Sequence, residues 1–256
     1  MIYFEANFVG EAYNLEHPRV LWNSISRRGT IAASTEATGY DAVNASTATT
    51  YDEWKPTAMP ATWTLTFETI ETINAIAMDT HTLGTDVVRV VVQEWDGSAW
   101  VDLMEAEPTD NEPIALLFRS RSTDRIRLRF FGSVAPRIAV IHCCEALEIP
   151  QTVYMGAPTP IDMARETTFE NNKSVKGNFL GRSVLYSKNN NKFTVAHLTE
   201  YFVRVNMTPF ILDAIEFPYF LLERPYSTPE ALSYRIEQGN IVPVRMGVNN
   251  LMQVDL

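Results

Sequence analysis

Cysteine is almost missing from this sequence: the 256 residues hold two, and they are adjacent, Cys143 and Cys144. Without spaced Cys or His partners the chain offers neither a disulfide framework nor a zinc site. Neighbours in a strand point to opposite faces, so the pair is expected to place one thiol in the core and the other partly in solvent. A vicinal disulfide would be strained. Histidine is as sparse. His17, His81, His142 and His197 stand singly, and no Gly-x-Ser-x-Gly elbow accompanies them, so no nucleophilic triad is indicated. His142, inside a strand pattern, reads as a core residue. No glycine-rich loop suited to phosphate appears, since "GNFLGR" is short and lies in a strand pattern. Glycoside hydrolysis needs only two carboxylates, and 31 acids leave that open. Acids such as Asp96, Asp110 and Glu112 nevertheless fall at turns and polar strand positions, and the chain is expected not to be an enzyme and to carry no cofactor. No apolar run approaches the roughly 18 residues of a membrane span, and the amino terminus shows no basic stretch followed by an apolar one. Membrane insertion is therefore not expected.

What is present is a globular composition, 46% hydrophobic and 20% charged. Its length suits one large or two ordinary domains, and two are expected. The net charge of −10 is uneven: residues 1–150 hold 21 acids and 11 bases, whereas residues 151–256 hold 10 of each. An acidic surface repels phosphate, which argues against nucleic acid as a partner. The best basic patch, "RSRSTDRIRLRF", alternates Arg125, Arg127 and Arg129 with Ile126, Leu128 and Phe130. That pattern describes a strand with an arginine-rich solvent face, or a contact to an anionic partner.

Up to residue 150 the chain reads as short strands broken by turns. "WTLTF" sets Trp63, Leu65 and Phe67 on one face and two threonines on the other. "INAIAM", "VVRVVVQEW", "AWVDLM", "IALLFRS", "RIRLRFF" and "RIAVIHCCEALEI" follow, with no long helical period, which predicts a β-sandwich. "TIAASTEATGYDAVNASTATT" suits a long structured loop. In "VRVVVQEWDGSAWVDL", a two-residue Asp96-Gly97 turn would set Val92 against Val101 and Val90 against Leu103, burying all four. The two tryptophans, Trp95 and Trp100, are then read as covering the sheet.

The proline-bearing segment "EIPQTVYMGAPTPID", with Pro150, Pro158 and Pro160, marks the expected boundary. Beyond it, "GNFLGRSVLYSKNNNKFTVAHL" predicts two strands joined by an Asn-rich turn. "TEYFVRVNMTPFILDAIEF" has helical spacing, interrupted at Pro209 into two short helices. "PYFLLERP", "LSYRIE" and "NLMQVDL" return to strands. The predicted fold is mainly β, an antiparallel sandwich over 1–150 followed by a smaller α+β domain over 151–256.

The order of features in residues 32–149 resembles discoidin-like domains, the galactose-binding-like jelly rolls also found among carbohydrate-binding modules. "AVNASTATTYDEW" (Ala42 to Trp54), then "ATWTLTFETIETINAIAM", the Trp-Asp-Gly hairpin, the Arg-x-Arg strand and the closing "EALEI" stand in the corresponding places. Such folds often hold a structural calcium with hard oxygen ligands. Here Asn44 occupies the usual carboxylate position; Asp41 with Glu145 or Glu148 are the alternative donors, and no tightly held metal is expected. The resemblance also implies a glycan site near loops, with Tyr51, Trp54, His81 and Arg119 as candidates, an aromatic plate with hydrogen-bonding groups suiting a pyranose. Trp54 could equally pack beneath its own loop.

Residues 165–256 resemble the carboxy-terminal domains of tail and baseplate proteins of long-tailed bacteriophages, through "NNKSVKGNFLGRSVLYSKNNNKFTVAHL", "MTPFILDAIEF" and the ending "PYFLLERP…YRIEQGNIVPVRMGVNNLMQVDL". Together the two resemblances imply a structural component of a phage tail tip or baseplate, made in the host cytoplasm and located in the virion. It would form a symmetric homo-oligomer touching other tail proteins and a host surface glycan. A soluble carbohydrate-binding lectin is the alternative. Phe217, Tyr219, Phe220 and Tyr226, flanked by Pro218 and Pro225, are the expected assembly-interface residues, with folding core as their other reading.

Overall fold

The computed structural model describes residues 1–6, 8, 15–155, 165–189, 193–228, 231–236, 241–247 and 250–256. It is mainly β, with predominantly antiparallel sheets, as the alternation of apolar and polar residues predicts.

Two long strands organise the first half. β4 (Ala61–His81) and β7 (Ile114–Phe131) pair antiparallel along most of their lengths, and their register shifts between Thr66 and Glu71, where both bend. The bend folds one continuous sheet into two layers. In the first layer β4 and β7 are flanked by β3 (Thr30–Ala33) on one side and by β5 (Arg89–Trp95) and β6 (Trp100–Ala106) on the other. In the second, β4 pairs β8 (Ile138–Cys144) and β7 pairs β1 (Ile2–Phe4), the latter in parallel. Trp54, Trp63, Leu65, Ile76, Met78, Leu116, Phe118, Leu128, Phe130 and Cys143 fill the space between the layers. Sequence alone suggests more strands than there are: "WTLTF" and "INAIAM" belong to one strand, as do "IALLFRS" and "RIRLRFF".

The Trp95–Trp100 hairpin forms in a different register from the one predicted. Its loop is four residues, Asp96 to Ala99, and a bulge lies between Val92 and Gln93. Val92 therefore faces Met104, and Val90 faces Ala106. Val101, expected in the core, is 40% exposed. The parity rule fails because the bulge adds a residue that alternation cannot reveal. Gly97 keeps the positive φ of 99° that the turn needs.

A third sheet covers the second layer from outside. It joins β2 (Arg19–Leu21) and β9 (Leu147–Glu148) to β14 (Tyr219–Leu222) and β15 (Leu232–Arg235), in the order β15-β14-β2-β9. Its strands come from both sides of the boundary expected at 150. Phe220, Leu222 and Leu232 pack with Ala75, Ala77, Leu117 and Cys144 into a second apolar cluster. β8 is thus buried on both faces, and both thiols are free and buried. This corrects the half-exposed cysteine expected above: Cys143 points into the sandwich and Cys144 into the seam. Burial raises both thiols' pKa values, so neither is an activated nucleophile. His142, between the third sheet and the sandwich, meets the Phe220 ring at 5.6 Å, and burial lowers its pKa to about 3.

The far face of the third sheet carries the remaining core, where Tyr219 and Leu221 meet Phe193, Val195, Leu198, Phe210 and Val254. These come from a fourth sheet, β10 (Val153–Met155), β13 (Thr194–Thr199), β17 (Leu251–Asp255) and β16 (Val244–Met246), and from a helical run. That run is continuous: α1 (Glu200–Phe202), a π-turn segment (Val203–Met207) and α2 (Thr208–Ala214). The two short helices expected on either side of Pro209 are present, and Pro209, lacking an N–H, sits in the first turn of α2 as expected; the π-turn segment joins them without a break, and the Thr208 hydroxyl donates to the Val203 carbonyl at 3.0 Å. β11 (Arg165–Lys173) and β12 (Phe179–Asn189) form a separate two-stranded hairpin. The strands predicted on either side of the Asn-rich turn both exist, β12 and β13, but in different sheets; residues 190–192 of that turn, and Pro158 and Pro160, lie outside the described residues.

Candidate functional site

The four residues expected to hold a glycan are not gathered into one surface. Trp54 is fully buried, with its ring 5.4 Å from Phe130 and its indole N–H donating to the Thr35 carbonyl at 3.3 Å. Its backbone pairs with Ile138, which is also the strand partner of His81. Trp54 and His81 are thus neighbours at one end of β8, both inside the protein. Burial lowers the His81 pKa to about 4, and the Leu83 N–H points at its Nδ1 at 3.4 Å. Neither ring can face a sugar, because each is consumed by core packing. Tyr51, three residues before Trp54, is 80% exposed on the loop that Trp54 anchors. Arg119 lies on β7 toward the bend, and its backbone N–H donates to the Glu5 carboxylate at 2.7 Å. In the same loop as Tyr51, the Asn44 side-chain amide donates to the Glu53 carbonyl at 3.1 Å. Among the described residues no three His, Cys, Asp or Glu side chains cluster as metal ligands, and no helix is long and apolar enough to cross a membrane.

The assembly candidates divide as well. Tyr219 and Phe220 are fully buried strand residues, Tyr219 against Phe210 at 5.0 Å and Phe220 against Tyr234 at 4.6 Å. They are folding core, because β14 is central in its sheet and covered on both faces. Phe217 is exposed, with the Arg27 guanidinium 3.7 Å from its ring centroid, and Tyr226 is exposed too.

The outer face of the first layer carries the two hairpin tryptophans. Trp95 and Trp100 are cross-strand partners with edge-to-face rings 5.4 Å apart, and Arg127 lies 4.2 Å over Trp100. Arg127 also donates to Gln93 at 2.7 Å, and Gln93 in turn bonds Asp102. These contacts, with Arg125 also 5.4 Å over Trp95, use the tryptophan rings within the protein, as the reading of a tryptophan-covered sheet expects.

A concave site exists elsewhere. A cleft of about 540 Å³ opens where the bend of β4, the segment after β2, the β8–β9 connection and the helical run converge. Half-buried Trp22 forms part of its wall, braced by Phe210 at 6.3 Å edge to face. Glu71 and Thr72 come from the bend, Asn23 and Arg28 from the segment after β2, Glu145 and Glu148 from the connection, and Asn206 from the π-turn. Several of these groups are fixed. Arg28 donates to Asn23 Oδ1 at 2.7 Å and lies 3.6 Å from Glu71, while Glu148 is held by Arg19 and His17, each at 2.9 Å. Asp213 ties the helical run to the wall, accepting from the Asn23 N–H at 3.1 Å and pairing with Arg27 at 3.0 Å. Glu145 is exposed. The arrangement offers an aromatic wall with amide and carboxylate residues lining the same space. Sequence reasoning passed over Trp22, whose one signal is the Trp-Asn pair directly after "RVL".

The sequence matches no protein-family model and no curated protein. Among solved structures, 47% of the chain is similar to 98% of chitosan-binding module 1 of a chitosanase/glucanase from Paenibacillus sp. IK-5, at 14% identity and a TM-score of 0.41. A Clostridium perfringens module in complex with GalNAc-β-1,3-galactose is matched over 46% of this chain and 96% of its own, at 13% identity and a TM-score of 0.42. A family 32 carbohydrate-binding module of C. perfringens in complex with galactose is matched over 51% and 99%, at 13% identity and a TM-score of 0.43.

Proposed function

We propose that this protein is a non-catalytic carbohydrate-binding protein and that its ligand occupies the Trp22 cleft. The observation that carries the reading is the cleft itself: about 540 Å³, within the range that encloses a small ligand, with one aromatic wall and a lining of polar residues. A pyranose presents an apolar C–H face and a rim of hydroxyls, matching an indole flanked by amides and carboxylates. Glu71, Glu145 and Glu148 against Arg28 make the lining acidic, so a neutral or amino sugar suits it and a uronic acid does not.

The test is calorimetric titration with neutral, amino and acidic oligosaccharides. Glu145→Gln should weaken the best ligand about tenfold, the size of one hydrogen bond to a charged group, without changing the melting temperature. If no neutral or amino sugar binds, or Glu145→Gln leaves affinity unchanged, the cleft assignment fails. If bound oligosaccharide is cleaved, the non-catalytic part of the reading fails.

A structural role in a phage tail or baseplate, in the virion, is the second reading. The β11–β12 hairpin favours it, because strands that pair with no third strand among the described residues and carry exposed apolar side chains suit a contact made in an assembly.

A further inference from the structure

We propose that the β11–β12 hairpin is an assembly arm that adds to the free β6 edge of a second copy of this chain. The hairpin is a two-stranded sheet with no third strand among the described residues. Phe169, Val175, Phe179, Leu180, Val184, Leu185 and Tyr186 are all exposed on it. A hairpin of this kind is marginal in water by itself, and among the described residues no strand pairs with either of its outer edges. Something in the working protein covers it.

Charge identifies the partner. Residues 165–189 hold five bases and two acids, so this segment is +3 in a chain of −10, leaving −13 elsewhere. The most one-sided acidic stretch sits on a free sheet edge. β6 ends the order β3-β4-β7-β5-β6, and residues 96–112 around it carry Asp96, Asp102, Glu105, Glu107, Asp110 and Glu112 with no Lys or Arg. Val101, exposed on the same strand, gives the arm's apolar side chains a neighbour. Strand addition would satisfy the idle backbone groups of both elements, and the charge match would set which edge is chosen. Within one chain arm and edge do not pair among the described residues, so the contact is between copies. Because arm and edge are different surfaces, the contact is head-to-tail, closing into a ring or extending as a filament. It uses none of the residues that line the Trp22 cleft and stands whether or not that cleft binds sugar.

The experiment is sedimentation velocity of the full chain over a wide dilution series, with two charge-reversal variants. Lys173→Glu with Lys176→Glu alters exposed arm residues and takes the arm from +3 to −1, and Glu105→Lys, Glu107→Lys, Asp110→Lys and Glu112→Lys together alter exposed edge residues and take residues 96–112 from −6 to +2. Wild type should self-associate, and about tenfold more weakly at high salt. Each variant alone should be monomeric. Mixed together they should form a one-to-one complex, because the edge variant keeps a basic arm and the arm variant keeps an acidic edge. A misfolded variant could not produce that recovery. The proposal is overturned if wild type is monomeric throughout, if association survives either reversal, or if the mixture stays monomeric. Monomeric wild type that gains mass only with a different protein would assign the arm to another partner.

Discussion

Two hairpins in this protein share a plan and differ in what surrounds them. β5–β6 and β11–β12 are both antiparallel, both contain a bulge, and both turn through a glycine at positive φ, 99° at Gly97 and 80° at Gly177. Both turns are also fastened by side chains: Asp96 accepts from the Ser98 and Ala99 N–H groups at 2.8 and 2.7 Å, and Ser174 Oγ accepts from the Asn178 N–H at 3.1 Å. β5 has β7 on its other edge and buries Val90 and Val92 in the sandwich, while β12 exposes Val184 and Leu185. Local turn chemistry makes the shape in both cases. The neighbouring sheet makes one of them part of the cooperative fold.

Matched truncations give the largest separation between the two. Val92 is fully buried opposite Met104, so Val92→Ala removes two methyl groups from a packed space and should cost about 2 kcal/mol through lost transfer energy and an unfilled cavity. Urea unfolding checks this, as a lower midpoint at unchanged slope. A midpoint within error of wild type would mean that the first layer is packed too loosely to define a core.

The turns give a smaller and more selective difference. A Cβ added at either glycine would meet no other atom within 4 Å, so space is not limiting and the positive φ is the whole obstacle. Gly97→Val should lower global stability by about 1 kcal/mol or more, because a β-branched residue is strained there. Gly177→Val carries the same local strain in a hairpin that the core does not depend on. Thermal unfolding of the two variants should show a lowered midpoint for Gly97→Val alone, and equal shifts would show that the arm unfolds with the sandwich.

What the sequence makes legible follows the range of the interaction. Trp63, Leu65 and Phe67 alternate with threonines because a strand's period of two is local, and they do line the sandwich. The bulge at Val92 leaves no mark in the alternation, so the register of that hairpin is lost. β4 and β7 read as four strands because polar residues occupy their bends, such as Glu68 and Glu71 in one and Arg121 and Asp124 in the other. The burial of Cys144 and His142 depends on Phe220, which arrives from far along the chain to complete the third sheet. The Trp22 cleft is harder still, since four separate segments build it and none carries a motif. Trp54 shows the converse error: an aromatic residue in a polar loop looks like a binding plate, yet its apolar area is used to hold that loop against Phe130.

The smallest expected effect is the most informative about the arm. Val184 pairs with Phe169 on the partner strand and is 62% exposed, whereas Val92 is inaccessible, so the same truncation removes exposed methyl groups in one case and buried ones in the other. In dilute protein, where no second copy covers the arm, Val184→Ala should change unfolding free energy by no more than about 0.5 kcal/mol, the range of ordinary surface substitutions. The difference from Val92→Ala then measures what the sandwich adds to a hairpin. A larger loss would mean that Val184 is buried in the dilute protein and that the arm packs on its own chain. A loss that grows with protein concentration, absent at high dilution, would instead report burial between copies, because a contact made only in the associated state stabilises by mass action.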